Sequence, residues 1–274
     1  GPYRLLRNLY RGGVERGHPL IAMGYEINRT QSEDQLFFRN TLHKSFRAAA
    51  LLANFQDSRE KLVQTLWEEG AIRTNSVRGA MLAVPREEFI PERLRSSAYN
   101  DSPLPSLDGQ TISAPHMVAM MCEALELKPG LRVLEVGAGT GYHAAVCSEI
   151  VAPKRSAAPG RVYAIERVPS LADFASANLG RCGYGNVEFI EGDGTLGYPP
   201  AAPFDRILVT AAAPSVPPPL KMQLKDRGIM VIPVGDVYSV QTLVKLRRLG
   251  DTFEEAICGG CVFVPLMGKY GWNV

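Results

Sequence analysis

Short apolar runs alternate with longer segments of mixed polarity along most of this chain. The runs are apolar without strict alternation and contain many β-branched residues, which is typical of strands buried on both faces of a parallel sheet. The predicted strands are Arg132–Val136, Arg161–Glu166, Val187–Ile190, Asp205–Val209, Gly228–Val234, Gln241–Leu249 and Gly260–Leu266. Helices are predicted at Tyr142–Val151, Ser170–Cys182 and Val216–Leu224. The alternation predicts an α/β fold with a mostly parallel, doubly wound sheet, whose final strand pair is antiparallel to part of it.

The chain before this alternation is organised differently. Residues 1–56 are predicted to form a basic, partly helical N-terminal extension. Asp57 and Glu60 match the pattern of a capped helix start, and glycines and prolines then separate several short helical stretches. Residues 57–110 are therefore predicted to be a helical subdomain with a loop. Residues 111–274 are predicted to be the core domain.

Three glycines follow the strand at Arg132–Val136, in the run Glu135-Val136-Gly137-Ala138-Gly139-Thr140-Gly141. A turn of this kind between a strand and a helix lets a ligand approach the main chain closely. The spacing is neither the G-x-G-x-x-G of dinucleotide sites nor that of a P-loop, which ends in Gly-Lys-Ser/Thr. An acid two residues before the first glycine suits a positively charged ligand. The motif is similar to the S-adenosylmethionine site of Rossmann-like methyltransferases, and a turn without a ligand is the alternative.

A second candidate site lies upstream, at Thr111-Ile112-Ser113-Ala114-Pro115. Pro115 suits the first turn of a helix predicted to run to Leu127. The N-terminus of a helix offers free N–H groups that favour an anion, and Ser113 adds a hydroxyl beside them. We expect this combination to bind a carboxylate, and a plain helix cap is the alternative. Downstream, Glu166 follows the glycine turn at the interval expected of an acid that binds both hydroxyls of a ribose.

Composition and charge narrow the class of protein. The net charge of +2 over 274 residues is too small to favour a nucleic-acid partner. No apolar run is long enough to cross a membrane. Five scattered cysteines suit a reducing compartment, so we expect a cytoplasmic location, with organellar targeting by the arginine-rich start as a minor alternative. Cys258-Gly-Gly-Cys261 is interpreted as a chance C-x-x-C, and no metal site is predicted.

The segment Thr111–Met117, T-I-S-A-P-H-M, a short distance before V-L-E-V-G-A-G-T-G, resembles the protein-L-isoaspartate (D-aspartate) O-methyltransferase family. Further matching stretches follow the family's order and run from about Asp57 to Trp272. They are Y-N-D-S-P from Tyr99, G-D-G from Gly192, A-A-A-P from Ala211, V-I-P-V-G from Val231, V-F-V-P-L from Val262, and Gly271-Trp272. The chain departs from the family at Val118, where many members have a second histidine, at the inserted loop Lys154–Pro159, and at Met267.

The resemblance implies a Rossmann-like class I methyltransferase fold and S-adenosylmethionine as the cofactor. It implies methyl transfer to the free carboxylate of L-isoaspartyl and D-aspartyl residues in damaged proteins, which initiates repair through a succinimide. The implied cofactor-binding residues are Thr111, Ile112, Ser113, Ala114, Glu135, Gly137, Gly139, Gly141, Glu166, Asp193 and Gly194.

Specific roles follow from that resemblance as expectations. Ser113 is the expected catalytic residue, because its hydroxyl would position the substrate carboxylate. Glu135 would hold the cationic methionine end, and Asp193 would accept from the adenine amino group. Ser113, Ala114 and Val264 would bind the substrate, since an extended peptide can add to a strand at 262–266. A carboxylate with a pKa near ~4 is already ionised at neutral pH, so no general base is expected.

The expected partners are isoaspartyl-containing proteins and peptides, without nucleic acid or membrane, and a monomer is favoured. Three alternatives stay open at this point. A related carboxyl methyltransferase could act on a dedicated peptide recruited by the extension. A tRNA methyltransferase would share the fold, although the charge argues against it. A scaffold that binds the cofactor without turnover is the non-enzymatic alternative.

Overall fold

A computed structural model describes residues 54–153 and 160–273 of the protein. Every described residue belongs to one compact unit, Ala50–Val274. The predicted N-terminal extension lies outside the described residues except for its last three positions, and so does the predicted loop Lys154–Pro159. The division of the remaining chain at residue 110 stays a prediction.

A seven-stranded sheet forms the centre of the described unit, with a small two-stranded sheet beside it. The small sheet contains β1 (Leu104–Pro105) and β2 (Thr111–Ile112). The large sheet contains β3 (Arg132–Val136), β4 (Arg161–Glu166), β5 (Val187–Glu191), β6 (Phe204–Val209), β7 (Leu224–Val234), β8 (Gln241–Leu249) and β9 (Thr252–Cys261).

The strands of the large sheet lie in the order β5-β4-β3-β6-β7-β8-β9. Pairing is parallel from β5 through β7 and antiparallel for β7 with β8 and β8 with β9. The chain runs outward from β3 to β5 on one side and returns to β6 on the other, so the order reverses between β3 and β6. Ligands of open α/β sheets bind at the carboxyl ends of the strands at such a reversal.

Helices cover both faces of this sheet. They are α1 (residues 54–68), α2 (Asn75–Ala83), α3 (Pro115–Ala124), α4 (Tyr142–Val151), α5 (Pro169–Cys182) and α6 (Pro218–Gln223). Short 3₁₀ helices lie at Arg86–Phe89, Glu92–Ser97, Gly194–Leu196 and Pro199–Ala201. Among the described residues, no helix combines the length and the apolar character needed to span a bilayer.

Side chains that alternate along the strands belong to two separate apolar clusters. Val133 and Val162 belong to the cluster that contains residues of α3 and α4. Leu134 and Tyr163 belong to the other cluster, with Leu220 of α6. The central strands are therefore buried on both faces, which explains their unbroken apolar runs and confirms the predicted doubly wound α/β fold.

The last strand differs from the prediction. We expected it at Gly260–Leu266, but β9 covers Thr252–Cys261. The turn at Gly250-Asp251 returns the chain at once, so β9 pairs from Thr252 onward with β8. The chain beyond β9 crosses the carboxyl end of the sheet, where the Ala212 N–H donates to the Val264 carbonyl and the Leu266 N–H donates to the Ala212 carbonyl. Charged side chains on the edge strand β9 hid it from a search for apolar runs.

Candidate active site

The glycine turn connects β3 to α4 with backbone conformations that side chains rarely adopt. Gly137, Gly139 and Gly141 have φ angles of +87°, +54° and +85°. At Gly137 a Cβ atom would also lie 3.0 Å from Thr210 Oγ1, at the end of β6. Glycine is therefore required for the conformation of the turn and for its close contact with the neighbouring strand.

Two adjoining cavities open above this turn. The main cavity contains about 730 Å³ of space between protein atoms, part of it open to solvent. The side cavity lies beside it and is lined by Ser113, Glu135 and His143, among others. Four residues line both cavities, so the two share a wall. They are Thr111, Gly137, Gly139 and Thr210.

Most of the predicted site residues line one of these cavities. Glu166, Gly194 and Val264 line the main cavity, together with the shared Thr111, Gly137 and Gly139. Ile112, Ser113 and Glu135 line the side cavity. Ala114, Gly141 and Asp193 line neither cavity. Gly141 instead forms the N-terminal cap of α4, and Ala114 that of α3.

The Glu166 carboxylate at the end of β4 holds the glycine turn. Its Oε2 accepts from the Gly139 N–H at 2.9 Å, and its Oε1 accepts from the N–H groups of Arg167 and Val168 at 2.8 and 3.0 Å. A carboxylate has about four acceptor positions, so one remains on Oε2 for a ligand hydroxyl. The side chain that was predicted to bind a ribose thus also connects the ends of β3 and β4.

Glu135 is a buried acid without a partner in the described structure. Its side chain is buried on β3, and no hydrogen-bond donor reaches Oε2. Burial raises the pKa of Glu135 to about 8, against the attraction of the nearby His143. An unpaired buried carboxylate is costly unless a ligand satisfies it, and a cationic ammonium group would do so.

Asp193 follows β5, and its carboxylate connects this segment to the chain near the C-terminus. Its Oδ1 accepts from the Thr195 N–H at 2.9 Å and from the Thr195 hydroxyl at 2.6 Å. Its Oδ2 accepts from the Lys269 N–H at 2.8 Å. Burial acts to raise the pKa of Asp193, but these hydrogen bonds lower it below its usual value. Three of about four acceptor positions are used, so one on Oδ2 remains free.

Gly194 brings the main chain against β3. A Cβ atom at Gly194 would lie 2.5 Å from Cγ1 of Val136, a stiff β-branched side chain. The residue is buried and lines the main cavity. Glycine is therefore required here for the close packing of this segment against β3.

A buried guanidinium, that of Arg86, supports the Ser113 segment through a hydrogen bond. Arg86 is fully buried; its Nη2 donates to the Ser113 carbonyl at 2.8 Å and its Nε donates to the Ala98 carbonyl at 2.9 Å. The guanidinium also lies 4.7 Å from the ring centre of Tyr142, the first residue of α4. Arg86 thus connects the helical part of the unit to both the Ser113 segment and the end of the glycine turn.

The N-terminus of α3 is less free than the sequence indicated. Asp101 Oδ1 accepts from the His116 N–H at 2.8 Å, and the same carboxylate lies 3.0 Å from His116 Nδ1. The expected carboxylate site must therefore use the Ser113 hydroxyl and the remaining backbone groups. His116 therefore has a structural contact with Asp101.

Sequence reasoning missed three residues that shape the site: Arg86, Tyr142 and Thr210. Thr210 contacts the glycine turn, because its hydroxyl donates to the Gly137 carbonyl at 2.5 Å. Its position directly after β6, opposite the glycine turn, could have been found from the parallel alternation. Arg86 has no comparable signal, because an arginine in a polar segment is usually exposed.

The fold and the site together define a class I methyltransferase that uses S-adenosylmethionine. The sheet order places the glycine turn at the reversal point, and the unpaired Glu135 oxygen fits a cofactor with a cationic amino group. The residues present therefore fit the cofactor implied by the sequence.

Comparison with known proteins identifies the family. The profile described as protein-L-isoaspartate (D-aspartate) O-methyltransferase matches residues 57–271. A protein-L-isoaspartate O-methyltransferase of Hyperthermus butylicus is 55% identical over 222 residues, which cover 80% of this chain and 92% of the relative. One of Methanopyrus kandleri is 55% identical over 220 residues, covering 80% and 95%. The chain therefore belongs to the protein-L-isoaspartate (D-aspartate) O-methyltransferase family.

A solved structure agrees with this assignment. A Plasmodium falciparum protein described as a β-aspartate methyltransferase, in complex with S-adenosyl-L-homocysteine, superposes with a TM-score of 0.68 at 28% identity. The match covers 76% of this chain and 98% of that protein.

Proposed function

We propose that this protein transfers the methyl group of S-adenosylmethionine to the free carboxylate of L-isoaspartyl and D-aspartyl residues in damaged proteins. The observation that carries the proposal is the shared wall of the two cavities. It brings Ser113, in the side cavity, next to the glycine turn that borders the cofactor site. Family membership supports the same reaction.

Positioning is the main task of the protein in this reaction. When bound, S-adenosylmethionine supplies a methyl group activated by a sulfonium. The Ser113 hydroxyl and the backbone of Thr111–Ala114 orient the acceptor carboxylate, which is already ionised and needs no base. Orientation and exclusion of water can lower a barrier by about 7–11 kcal/mol. The product ester then loses methanol as the following backbone nitrogen attacks, and hydrolysis of the succinimide returns part of the material to aspartate.

We assign the cofactor contacts from the free acceptor positions described above. Glu135 pairs with the amino group, directly or through a water molecule, and the remaining position on Glu166 accepts from a ribose hydroxyl. The remaining position on Asp193 accepts from the adenine amino group, while Gly194 lies beside the ring. The glycines of the turn, with Thr111 and Ile112, allow the cofactor to lie against the main chain.

We propose that the substrate peptide runs beside residues 262–266. Val264 lines the main cavity, which supports this placement. The Val264 carbonyl and the Leu266 N–H already bond to Ala212, and the Phe263 N–H donates to Gln241 Oε1, so a peptide has to pair with the main-chain groups of this segment that remain free. Main-chain pairing suits damage that occurs in many sequence contexts, because it reads no particular side chain.

The proposed function is tested with two synthetic peptides that differ only in an isoaspartyl or an aspartyl linkage. Labelled methyl groups are expected in the isoaspartyl peptide and not in its matched control. Label in RNA, with none in the isoaspartyl peptide, would show that the tRNA methyltransferase alternative is correct.

A shortened chain tests whether the extension recruits a dedicated substrate. Residues 50–274 form one compact unit, so this piece is compared with the full chain on the same generic peptide. We expect equal turnover. If the generic peptide is a poor substrate of both forms, the alternative of a dedicated peptide gains support. The monomeric state and the cytoplasmic location stay predictions.

Replacing Ser113 with alanine should impair turnover far more than cofactor binding. One hydrogen bond to a charged group is removed, so kcat/KM for the peptide should fall roughly 10- to 150-fold. The Kd for S-adenosylhomocysteine, measured by calorimetry, should change less than about threefold. Ser106→Ala is the matched control, because Ser106 is a buried serine that lines neither cavity. An equal loss in both quantities would exclude the positioning role.

Replacing Asp193 with asparagine should weaken both the fold and the cofactor site. In the variant, an amide N–H₂ group replaces one carboxylate oxygen. This donor group must then face at least one of the three N–H or O–H donors that bond to Asp193 in the wild type. We expect the free energy of unfolding to fall by about 1–3 kcal/mol, with weaker binding of S-adenosylhomocysteine. Asp236→Asn is the control, since Asp236 accepts from the Tyr238 N–H in an exposed turn outside the cavities. Weaker binding at unchanged stability would indicate that Asp193 acts only on the ligand.

A further inference from the structure

Behind the glycine turn lies a buried group of two thiols and an imidazole. Cys122 on α3 lies with its Sγ 3.3 Å from His143 Nε2 on α4. Cys147, one turn further along α4, completes the group, and the three donor atoms all lie within 4.8 Å of one another. All three residues are buried, and the two cysteines are fully so. The mechanism proposed above uses none of them.

We propose that Cys122, His143 and Cys147 form a binding site for one zinc-type divalent metal ion. Among the described residues, no other group of three or more histidine, cysteine or acidic side chains has its donor atoms arranged to hold a metal ion. Thiolate and imidazole are the ligands that zinc prefers, and three protein ligands leave a fourth position for another donor.

The geometry needs little adjustment. Zinc–sulfur bonds of about 2.3 Å and zinc–nitrogen bonds of about 2.0–2.1 Å in a tetrahedron place two ligand atoms about 3.5–3.8 Å apart. The observed 3.3 Å between Cys122 Sγ and His143 Nε2 is close to that separation. His143 and Cys147 are four residues apart on one helix, so they face the same side. All three donor atoms lie within 4.8 Å of one another, so small rotations of the side chains would bring them around one ion.

The charge of the occupied site also suits its surroundings. Two thiolates and a neutral imidazole around a divalent ion give a net charge of zero. A neutral complex is far less costly to bury than a free ion or a lone thiolate. The two thiols would release their protons to the solvent as the ion binds.

The side cavity gives the ion a route and a fourth ligand. His143 lines this cavity together with Glu135, so one member of the group borders open space. A water molecule in the cavity can complete the coordination. The ion would then lie directly behind the turn that holds the methyl donor.

The experiment uses the full chain, reduced, treated with a chelator and then titrated with Cd²⁺. The ultraviolet charge-transfer band of thiolate–cadmium bonds should saturate at one equivalent and disappear when Zn²⁺ replaces Cd²⁺. Cys122→Ser and Cys147→Ser should each weaken binding at least 100-fold. Cys261→Ser, which removes a buried thiol outside the group, should leave the titration unchanged.

Three results would overturn the proposal. They are no band in the wild-type chain, a stoichiometric band that persists in Cys147→Ser, and an equal loss in Cys261→Ser. Since a cysteine variant can fail to fold, thermal unfolding of the wild-type chain is also measured against Zn²⁺ concentration. The Tm should rise with zinc, because a ligand of the folded state stabilises it. A Tm that stays constant up to millimolar zinc contradicts the site independently of any variant.

Discussion

A Glu135→Gln variant is expected to lose roughly 10- to 150-fold in affinity for S-adenosylhomocysteine at pH 8.5. The carboxylate is buried and its Oε2 has no hydrogen-bond donor among the described residues, so the amino group of the ligand is its natural partner. Glutamine keeps the shape of the side chain but removes the charge. The expected loss is that of one hydrogen bond between charged groups, and calorimetry measures it.

The same variant should change the pH dependence of binding. Burial raises the pKa of Glu135 to about 8 in the free protein, so below pH 8 the carboxyl is mostly protonated. Binding a cationic group requires the ionised form. Wild-type affinity should therefore rise by up to about tenfold per unit as the pH increases toward 8, and level off above it while the ligand stays protonated. The Glu135→Gln variant should lack this rise. Both proteins are measured in chelator-containing buffer.

Stability should change in the opposite direction. The folded-state pKa of Glu135 lies above its ordinary value of 4.5. Its contribution to the free energy of unfolding is therefore complete below about pH 4.5 and is lost as the pH rises through 8. Above pH 8 the cofactor-free Glu135→Gln variant should thus be more stable than the wild type. Chemical denaturation at pH 6 and pH 9 measures this difference.

A ligand without the amino-acid end provides the matched control. Methylthioadenosine has the adenosine and the sulfur but no amino group, so wild type and variant should bind it equally. If Glu135→Gln weakens both ligands to the same extent, or loses stability at pH 9, Glu135 has a structural role instead of the proposed pairing.

An Arg86→Met variant is expected to lose about 2–5 kcal/mol of stability and most of its turnover. Methionine replaces the length of the side chain but leaves the Ser113 and Ala98 carbonyls unpaired in a buried place. The Ser113 segment then loses its support. We therefore expect kcat/KM for the peptide to fall by more than the loss of folded protein alone explains. The affinity for S-adenosylhomocysteine should change much less, since Arg86 lines neither cavity.

Arg59→Met is the control for Arg86→Met. Arg59 bonds to Glu87, Tyr99 and the Leu82 carbonyl in the same helical part of the unit, but not to Ser113. It should lose stability without a separate loss of turnover per folded molecule. Arg86→Lys should recover part of the stability, because lysine keeps the charge but not the fixed fork of donors. If Arg86→Met and Arg59→Met have equal turnover per folded molecule, the support of Ser113 is not important for the reaction.

Local patterns in the sequence predicted the centre of the fold accurately. β3, α4, β4 and β8 have the predicted bounds. Apolar runs, glycines and helix caps act over a few residues, so they can be read directly from the chain. The edge strand β9 was misplaced, because its position depends on pairing with β8 and not on an apolar run of its own.

The candidate site shows the same difference between what local sequence patterns predict and what long-range packing decides. The residue types and their order indicated most of the side chains that line the two cavities, although Ala114, Gly141 and Asp193 line neither. What those side chains contact depends on residues far away in the chain. Asp193 accepts from Lys269, Arg86 supports Ser113, and Asp101 occupies the start of α3. None of these contacts has a local signal, since each is made only when separate elements pack together.

The sequence by itself determined the α/β class, the glycine turn, the cationic character of its ligand and the resemblance to isoaspartyl methyltransferases. These depend on short-range rules of backbone conformation and on residue order. Only the tertiary structure decided that Glu135 is buried with an unpaired oxygen, that Arg86 lies beneath Ser113, and that Cys122 meets His143 and Cys147. Burial, pKa and ligand geometry depend on which elements pack against each other, and local sequence does not specify that packing.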